Sequence, residues 1–444
     1  MSAPLDEPSF LHRGQPGYDA ARERAIWNKR LDTARSPAAI VAVTCAEQAA
    51  AAICRAREQG LKVSPRGSGH HYEAAAQRDG GLLLDMGGLK AIEIDAEAGT
   101  ARVGAGVSSG ELSEALSGRG FAFPVGHCVD VGLSGYILAG GFGWNAGEWG
   151  AACGNVAGIE MVTAAGDIVV ASARDQPDLF WGARGHGAGF FAAITAYHVR
   201  LHREPAGVWA WRAMFPLASA PQLADWIDAA IAAADRTTEL GCFVLAAPDS
   251  HEPAIIVRAA ACGENADDAR ARVASFASPP AGIERLWEPK GEALAFTELF
   301  RLSPMPAGKR VAADHVWSAA PVGDLLRAVY QLPAPSPDST IDLVAYGGHA
   351  PIALPSDAAL TMCGRTGAGI YALWDDPAAD DANRAWVRRV DDALAPLRTG
   401  RYVGEADLTA GPERRAQCFT PAALARLAQL REHFDPEGVF FAYP

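Results

Sequence analysis

Several features common in other protein classes are scarce here. No run of the chain approaches the roughly 20 apolar residues that cross a bilayer, because charges interrupt the longest alanine-rich stretches. Positive charge is in deficit: 39 Lys and Arg stand against 52 Asp and Glu, a formal net charge of −13. A surface of that sign repels phosphate backbones, so no nucleic-acid partner is expected. Met1 to Gly14 holds no basic stretch followed by an apolar core, so no secretory signal is read there. The eight cysteines (Cys45, Cys54, Cys128, Cys153, Cys242, Cys262, Cys363 and Cys418) show no repeated spacing. A domain this large needs no disulfide framework, and Cys and His do not recur at zinc-ligand spacing. A cytoplasmic protein with mostly buried thiols, no metal and no membrane partner is expected, with export by another route left open. No internal repeat is evident, and the oligomeric state is not legible.

What is present is bulk and pattern. The 444 residues, 49% hydrophobic and 20% charged, suffice for two or three domains with a large buried core. Residues 36–203 alternate short strands with helices. Val41–Val43 reads as a strand, followed by a capping box in Thr44-Cys45-Ala46-Glu47 and a helix running to Gly60. Lys62–Ser64 is a second strand and Thr100–Val103 a third, leading to Gly104-Ala105-Gly106 and another capping box from Ser108 to Glu111. The Gly104, Gly106, Gly110 spacing is one residue too long for G-x-G-x-x-G, so nicotinamide binding is not expected. A boundary falls near Arg203–Gly207. Beyond it, residues 241–246, 254–260, 340–345 and 369–374 read as strands among alanine-rich helices, an antiparallel sheet covered on one side. A helix from about Pro421 to Phe434 closes the chain. The expected class is α+β, divided at residues 1–203, 204–399 and 400–444.

Chemistry concentrates in three glycine-rich loops: Arg66-Gly67-Ser68-Gly69-His70-His71, the stretch Gly126–Gly143, and Asp178–Gly189. Glycine lets backbone amides close around phosphate. A histidine and a cysteine displayed in such loops, His70 and Cys128, suit a metal site, a nucleophile, or a flavin held by two bonds. The surrounding residues favour the flavin.

The order of these loops resembles the vanillyl-alcohol oxidase superfamily, which has a PCMH-type FAD-binding domain, and within it the berberine-bridge-enzyme-like branch. Arg66, Gly69, His70, Tyr72 and Glu73 resemble the branch's Arg-x-x-Gly-His-x-Tyr-Glu, and Gly126 to Gly143 its Gly-x-Cys-x-x-Val-Gly pattern with the following glycines. Asp178–Gly185 and Asp435–Phe440 are similar to two further motifs. The match is strong over 36–203 and 400–444 and weak between. The resemblance implies that both ends form a two-part FAD domain around a middle substrate domain. It implies covalent FAD, with His70 on the flavin 8α carbon and Cys128 on carbon 6. It gives Arg66, Gly67, Ser68, Gly69 and His71, with Gly132, Ser134, Gly135, Gly140, Gly141 and Gly143, to the pyrophosphate. Asn155 and Val156 fall near adenine, and Val131 at the position where a small residue accompanies oxidases.

The substrate side departs from the branch. Phe142 stands where many members have tyrosine, Val344 where many have a carboxylate, and Glu405 where a second tyrosine is frequent. Asp342 lies two residues before Val344 and faces the same side of the strand. Glu405 is the candidate base, with Tyr402 and Asp342 beside it and Tyr346 and His349 as lesser polar candidates. The reading is an FAD-dependent oxidoreductase, an oxidase that takes hydride from a small organic substrate and gives hydrogen peroxide from O2. A dehydrogenase with another acceptor, a flavin-dependent oxygenase and a non-catalytic flavin-binding protein remain alternatives.

Overall fold

The apolar strands and alanine-rich helices assemble into two halves in the computed structural model, which describes residues 8–31, 35–349 and 351–443. The absence of a signal read over Met1–Gly14 falls partly on residues 1–7, outside the described residues. The first sheet has the order Leu11–His12, Ala39–Ala42, Leu82–Asp85, Val63–Arg66. Its last three strands are parallel. Helix Ala46–Glu58 covers it with Ala49, Ala52, Ile53 and Ala56, small residues that let helix and sheet approach closely. The first capping box does not form. The helix starts one residue later than read, so Gln48, not Glu47, reaches back, and its Oε1 accepts from Thr44 N at 2.9 Å. The second box forms as read: Ser108 Oγ accepts from Glu111 N at 3.3 Å, and Glu111 Oε2 accepts from Ser108 N at 2.7 Å.

A five-stranded antiparallel sheet follows, in the order Ile92–Asp95, Thr100–Gly104, Ala192–Arg200, Val156–Thr163, Ile168–Ser172. Gly104 and Gly106 serve packing. A Cβ on them would stand 2.3 Å from Leu89 O and 2.5 Å from Gly87 O.

The middle of the chain builds an eight-stranded, wholly antiparallel sheet from Gly207–Pro216 through Arg398–Gly400. Alternation along each strand divides its faces. One face carries Leu240, Cys242, Val257, Leu343 and Ile370, packed beneath helices Ala220–Ala233, Val322–Val329 and Asp380–Leu394. The opposite face carries Arg258, Phe243, Asp342 and Tyr371 and looks toward the first half.

The C-terminal segment returns to the first sheet. Helix Pro421–Phe434 is capped by Thr420, whose Oγ1 accepts from Ala423 N. The Asp435 carboxylate then accepts from Val439 N at 2.6 Å and Phe440 N at 3.0 Å, which turns the chain. Val63 N donates to Val439 O, and Phe441 N donates to Val63 O, adding the segment alongside Val63.

Candidate active site

Strand Val63–Arg66 delivers the first loop, and the Arg66 side chain shapes it. Its guanidinium donates to Asp85 Oδ1 at 2.9 Å and back to Ser68 O at 2.7 Å. Gly69 has φ +77°, and a Cβ there would lie 2.3 Å from Ala25 O; only glycine permits this approach. The next side chain, His70, stacks on Trp27 with ring centroids 4.2 Å apart. His71 points elsewhere. Its Nδ1 accepts from Glu73 N, so Nε2 carries the proton and donates to Tyr443 Oη at 2.6 Å. Burial lowers its pKa to about 4, keeping it neutral.

The second loop is pinned to the first. Gly132 N donates to Ser68 Oγ at 2.9 Å, and a Cβ on Gly132 would meet that oxygen at 2.7 Å. Gly110 N donates to Val129 O, and Ser109 N donates to Val131 O. Cys128 thus lines the same cavity as the first loop, and Asp130 Oδ1 comes within 3.2 Å of His70 Nε2. Burial, then the carboxylates of Asp130, Glu405 and Asp342, push the Cys128 thiol up to about 12.

Both loops open on one cavity of about 610 Å³ lying between the two halves. From the sequence reading it gathers Arg66, Gly67, Ser68, Gly69, His70, His71, Cys128, Val131, Gly132, Ser134 and Gly135, together with Asp342, Tyr402 and Glu405. Five expected cofactor positions do not line it. Gly140 lies against the Leu360 side chain, Gly141 N donates to Tyr402 Oη at 3.2 Å, and Gly143 packs under Val125 O. Asn155 donates to Trp149 O and its Oδ1 accepts from His202 Nε2, and Val156 opens a buried strand edge. Tyr346 and His349 also lie away from it: Tyr346 packs with Ala146 and Ile352, and His349 Nε2 meets Asp228 O at 3.0 Å.

On the substrate sheet, Tyr371 Oη donates to Glu405 Oε2 at 2.7 Å. Burial raises the Glu405 pKa, opposed by that hydrogen bond and by His127. Asp342 sits nearby with Oδ1 out of reach of water and without a hydrogen-bond partner. Burial pushes its pKa up to about 7, with Arg258 and His127 opposing and Glu239 and Glu405 adding. Arg258, 2% exposed, is committed to Glu239 Oε1, Leu302 O and Ser303 Oγ. Gly369 pairs with Asp342, and a Cβ there would stand 2.4 Å from Tyr371 Oη, so the glycine makes room for the Tyr371–Glu405 contact. Phe142 and Tyr402 meet edge to face at 5.0 Å.

Sequence reasoning missed Trp27, Asn28, Tyr371 and Arg258. Asn28 donates to Tyr72 O at 2.6 Å and Val311 O at 3.0 Å, tying the first loop to the substrate sheet. Arg258 had a signal: a charge set within Ile255-Ile256-Val257 and Ala259-Ala260-Ala261. Trp27 belongs to no motif.

The donor set and the space suit a flavin. Gly135 has nothing within 4 Å where a Cβ would stand, so backbone faces open cavity there, and a nucleophile projects from each loop. Residues 37–172 match the family model of an FAD binding domain. The FAD-linked oxidoreductase janO of Penicillium janthinellum is 26% identical over 96% of this chain and 95% of its own length. The (R)-6-hydroxynicotine oxidase of Paenarthrobacter nicotinovorans is 33% identical over 46% of this chain and 44% of its own. Among solved structures, 6-hydroxy-D-nicotine oxidase from Arthrobacter nicotinovorans superposes with TM-score 0.84 at 25% identity, covering 99% of this chain and 98% of that one. The BBE-like 1 protein of Physcomitrella patens gives 0.84 at 21% identity over 98% and 97%. The chain is an FAD-linked oxidoreductase. Residues 37–172 carry its FAD binding domain, and the whole chain shares the fold of 6-hydroxy-D-nicotine oxidase and of the BBE-like structures.

Proposed function

We propose that this oxidoreductase is an oxidase whose FAD is joined covalently to His70 and Cys128 and whose substrate is a small organic molecule. The observation that carries the reading is the convergence of His70, Cys128 and Glu405 on one cavity built by both halves. The flavin, when bound, supplies a hydride acceptor that O2 can reoxidise to give hydrogen peroxide.

The chain's own residues do the rest. Backbone at Gly67, Gly69, Gly132 and Gly135 holds the cofactor closely, and Arg66 fixes the first loop through Asp85 and Ser68 O. Glu405 takes the substrate proton, which requires its carboxylate ionised; Tyr371 Oη orients it and stabilises that form. Phe243, Phe142 and Tyr402 supply apolar walls that exclude water and favour a substrate with an aromatic or cyclic apolar body. The 6-hydroxynicotine oxidases among the relatives support a C–H next to nitrogen as the oxidised position. Val131 borders the cavity two residues beyond Val129 on the cysteine loop, and its small side chain supports access for O2. Eight free cysteines support a reducing, cytoplasmic compartment.

The test is a screen of small amines and alcohols with a peroxide readout, paired with anaerobic bleaching of the flavin. Bleaching followed by rapid reoxidation in air is expected. Bleaching with slow reoxidation would transfer the protein to the dehydrogenases. Glu405→Gln distinguishes the base from a bystander in the same assay.

A further inference from the structure

The cysteine loop carries a carboxylate that neither the motifs nor the proposed turnover uses. Asp130 follows Cys128 by two residues, and its Oδ1 lies 3.2 Å from His70 Nε2. That is an ion-pair distance, but the oxygen sits off the ring N–H direction, so the buried Nε2 has no aligned hydrogen-bond partner. The Asp130 side chain is 54% exposed, so it can rotate to close the bond without backbone movement. Trp27 fixes the plane of the His70 ring by stacking. No hydrogen bond to His70 Nδ1 is found among the described residues, so with Nε2 turned to Asp130 the Nδ1 lone pair is left open.

We propose that Asp130 is a positioning residue for flavin attachment: it keeps the His70 proton on Nε2, leaving the Nδ1 lone pair as the nucleophile. This rests on the covalent reading above. As the Nδ1–carbon bond forms, the imidazole gains positive charge, which a carboxylate at Nε2 stabilises. The Nε2 proton then passes through Asp130, whose exposure gives it an outlet to solvent. In the net change, the imidazole N–H and one C–H of the flavin 8α methyl become one N–C bond. The two protons and two electrons released reduce O2 to hydrogen peroxide.

The same charge acts oppositely on its neighbour. The attacking form of cysteine is the thiolate, and the groups facing Cys128 are carboxylates: Asp130 from its own loop, Glu405 from the C-terminal segment and Asp342 from the substrate sheet. Asp130 is itself held ionised, since His70 lowers its pKa.

The experiment uses the full chain expressed with limiting riboflavin, then given FAD in air, with peptides mapped over time. Asp130→Asn is expected to slow formation of the His70 adduct roughly tenfold while leaving the Cys128 adduct undiminished. Asp130→Glu should restore the His70 rate. An unchanged His70 rate in Asp130→Asn would overturn the proposal while leaving covalent attachment intact. Equal loss of both adducts and of total bound flavin would reduce Asp130 to a structural role. A parent protein with no adduct at His70 would remove the covalent reading, and the proposal with it.

Discussion

Asp342 and Glu405 carry the strongest consequences of single side chains. For Asp342, the folded state binds its proton up to about pH 7, whereas an unfolded aspartate releases it near 4. Between those values the folded chain holds more protons, so this group's contribution makes stability fall as pH rises. Asp342→Asn removes that penalty, and its amide matches the protonated form in shape. The variant should unfold at a higher temperature than the parent at pH 8, with the difference shrinking toward pH 5, in paired thermal melts. A difference independent of pH would mean that Asp342 is not held protonated. Glu405 is also raised by burial, but the role of base proposed for it needs the ionised form. Its rate contribution should therefore appear with rising pH, and Glu405→Gln should lower kcat by about 10²- to 10⁴-fold with the flavin still bound and little change in KM. Loss of flavin from Glu405→Gln would instead assign it a structural part.

At the scale of elements, the loop bearing His70 depends on a residue far from it in sequence. Asn28, 0% exposed, bridges Tyr72 O and Val311 O and accepts from Val311 N. Asn28→Ala strands these buried backbone groups, and each unsatisfied one costs about 1–3 kcal/mol. Chemical denaturation should show a loss on the order of 3 kcal/mol, and the flavin-linked fraction should fall with it; an unchanged midpoint would contradict this bridging role. Such a link has no local pattern, which is why Trp27 and Asn28 were not legible. Elements with a periodic or capping signal were. The strands read at 340–345 and 254–260 extend to Thr340–Tyr346 and Pro253–Gly263, and the last helix begins and ends at the residues read. The Ser108–Glu111 cap was legible because serine and glutamate have the right spacing with nothing to compete. The Thr44 cap was misread because Gln48 competes for Thr44 one position on. Glycine motifs revealed that the backbone bends closely but not against what. Gly132 borders the cavity, whereas Gly140 and Gly143 press on Leu360 and Val125.

For the whole molecule, the cavity exists only because three parts of the chain meet: the first-half loops, the middle sheet and the C-terminal return. Phe440, 1% exposed, sits in the core of the first sheet next to the strand that delivers the His70 loop. Phe440→Ala should cost about 3–5 kcal/mol and loosen that loop, lowering flavin retention measured by absorbance; full retention would separate the C-terminal return from the site. The meeting of His70 and Cys128 was implied by motif resemblance, whereas the Tyr371–Glu405 contact and the Arg258–Glu239 pair arise from strand register, which no local motif encodes. The most direct test of the account is the intact mass of the denatured protein, followed by mapping of the flavin-bearing peptides. One FAD added to the chain, linked to both the His70 and the Cys128 peptides, is the predicted result. A denatured chain of unmodified mass released from a yellow protein would contradict it.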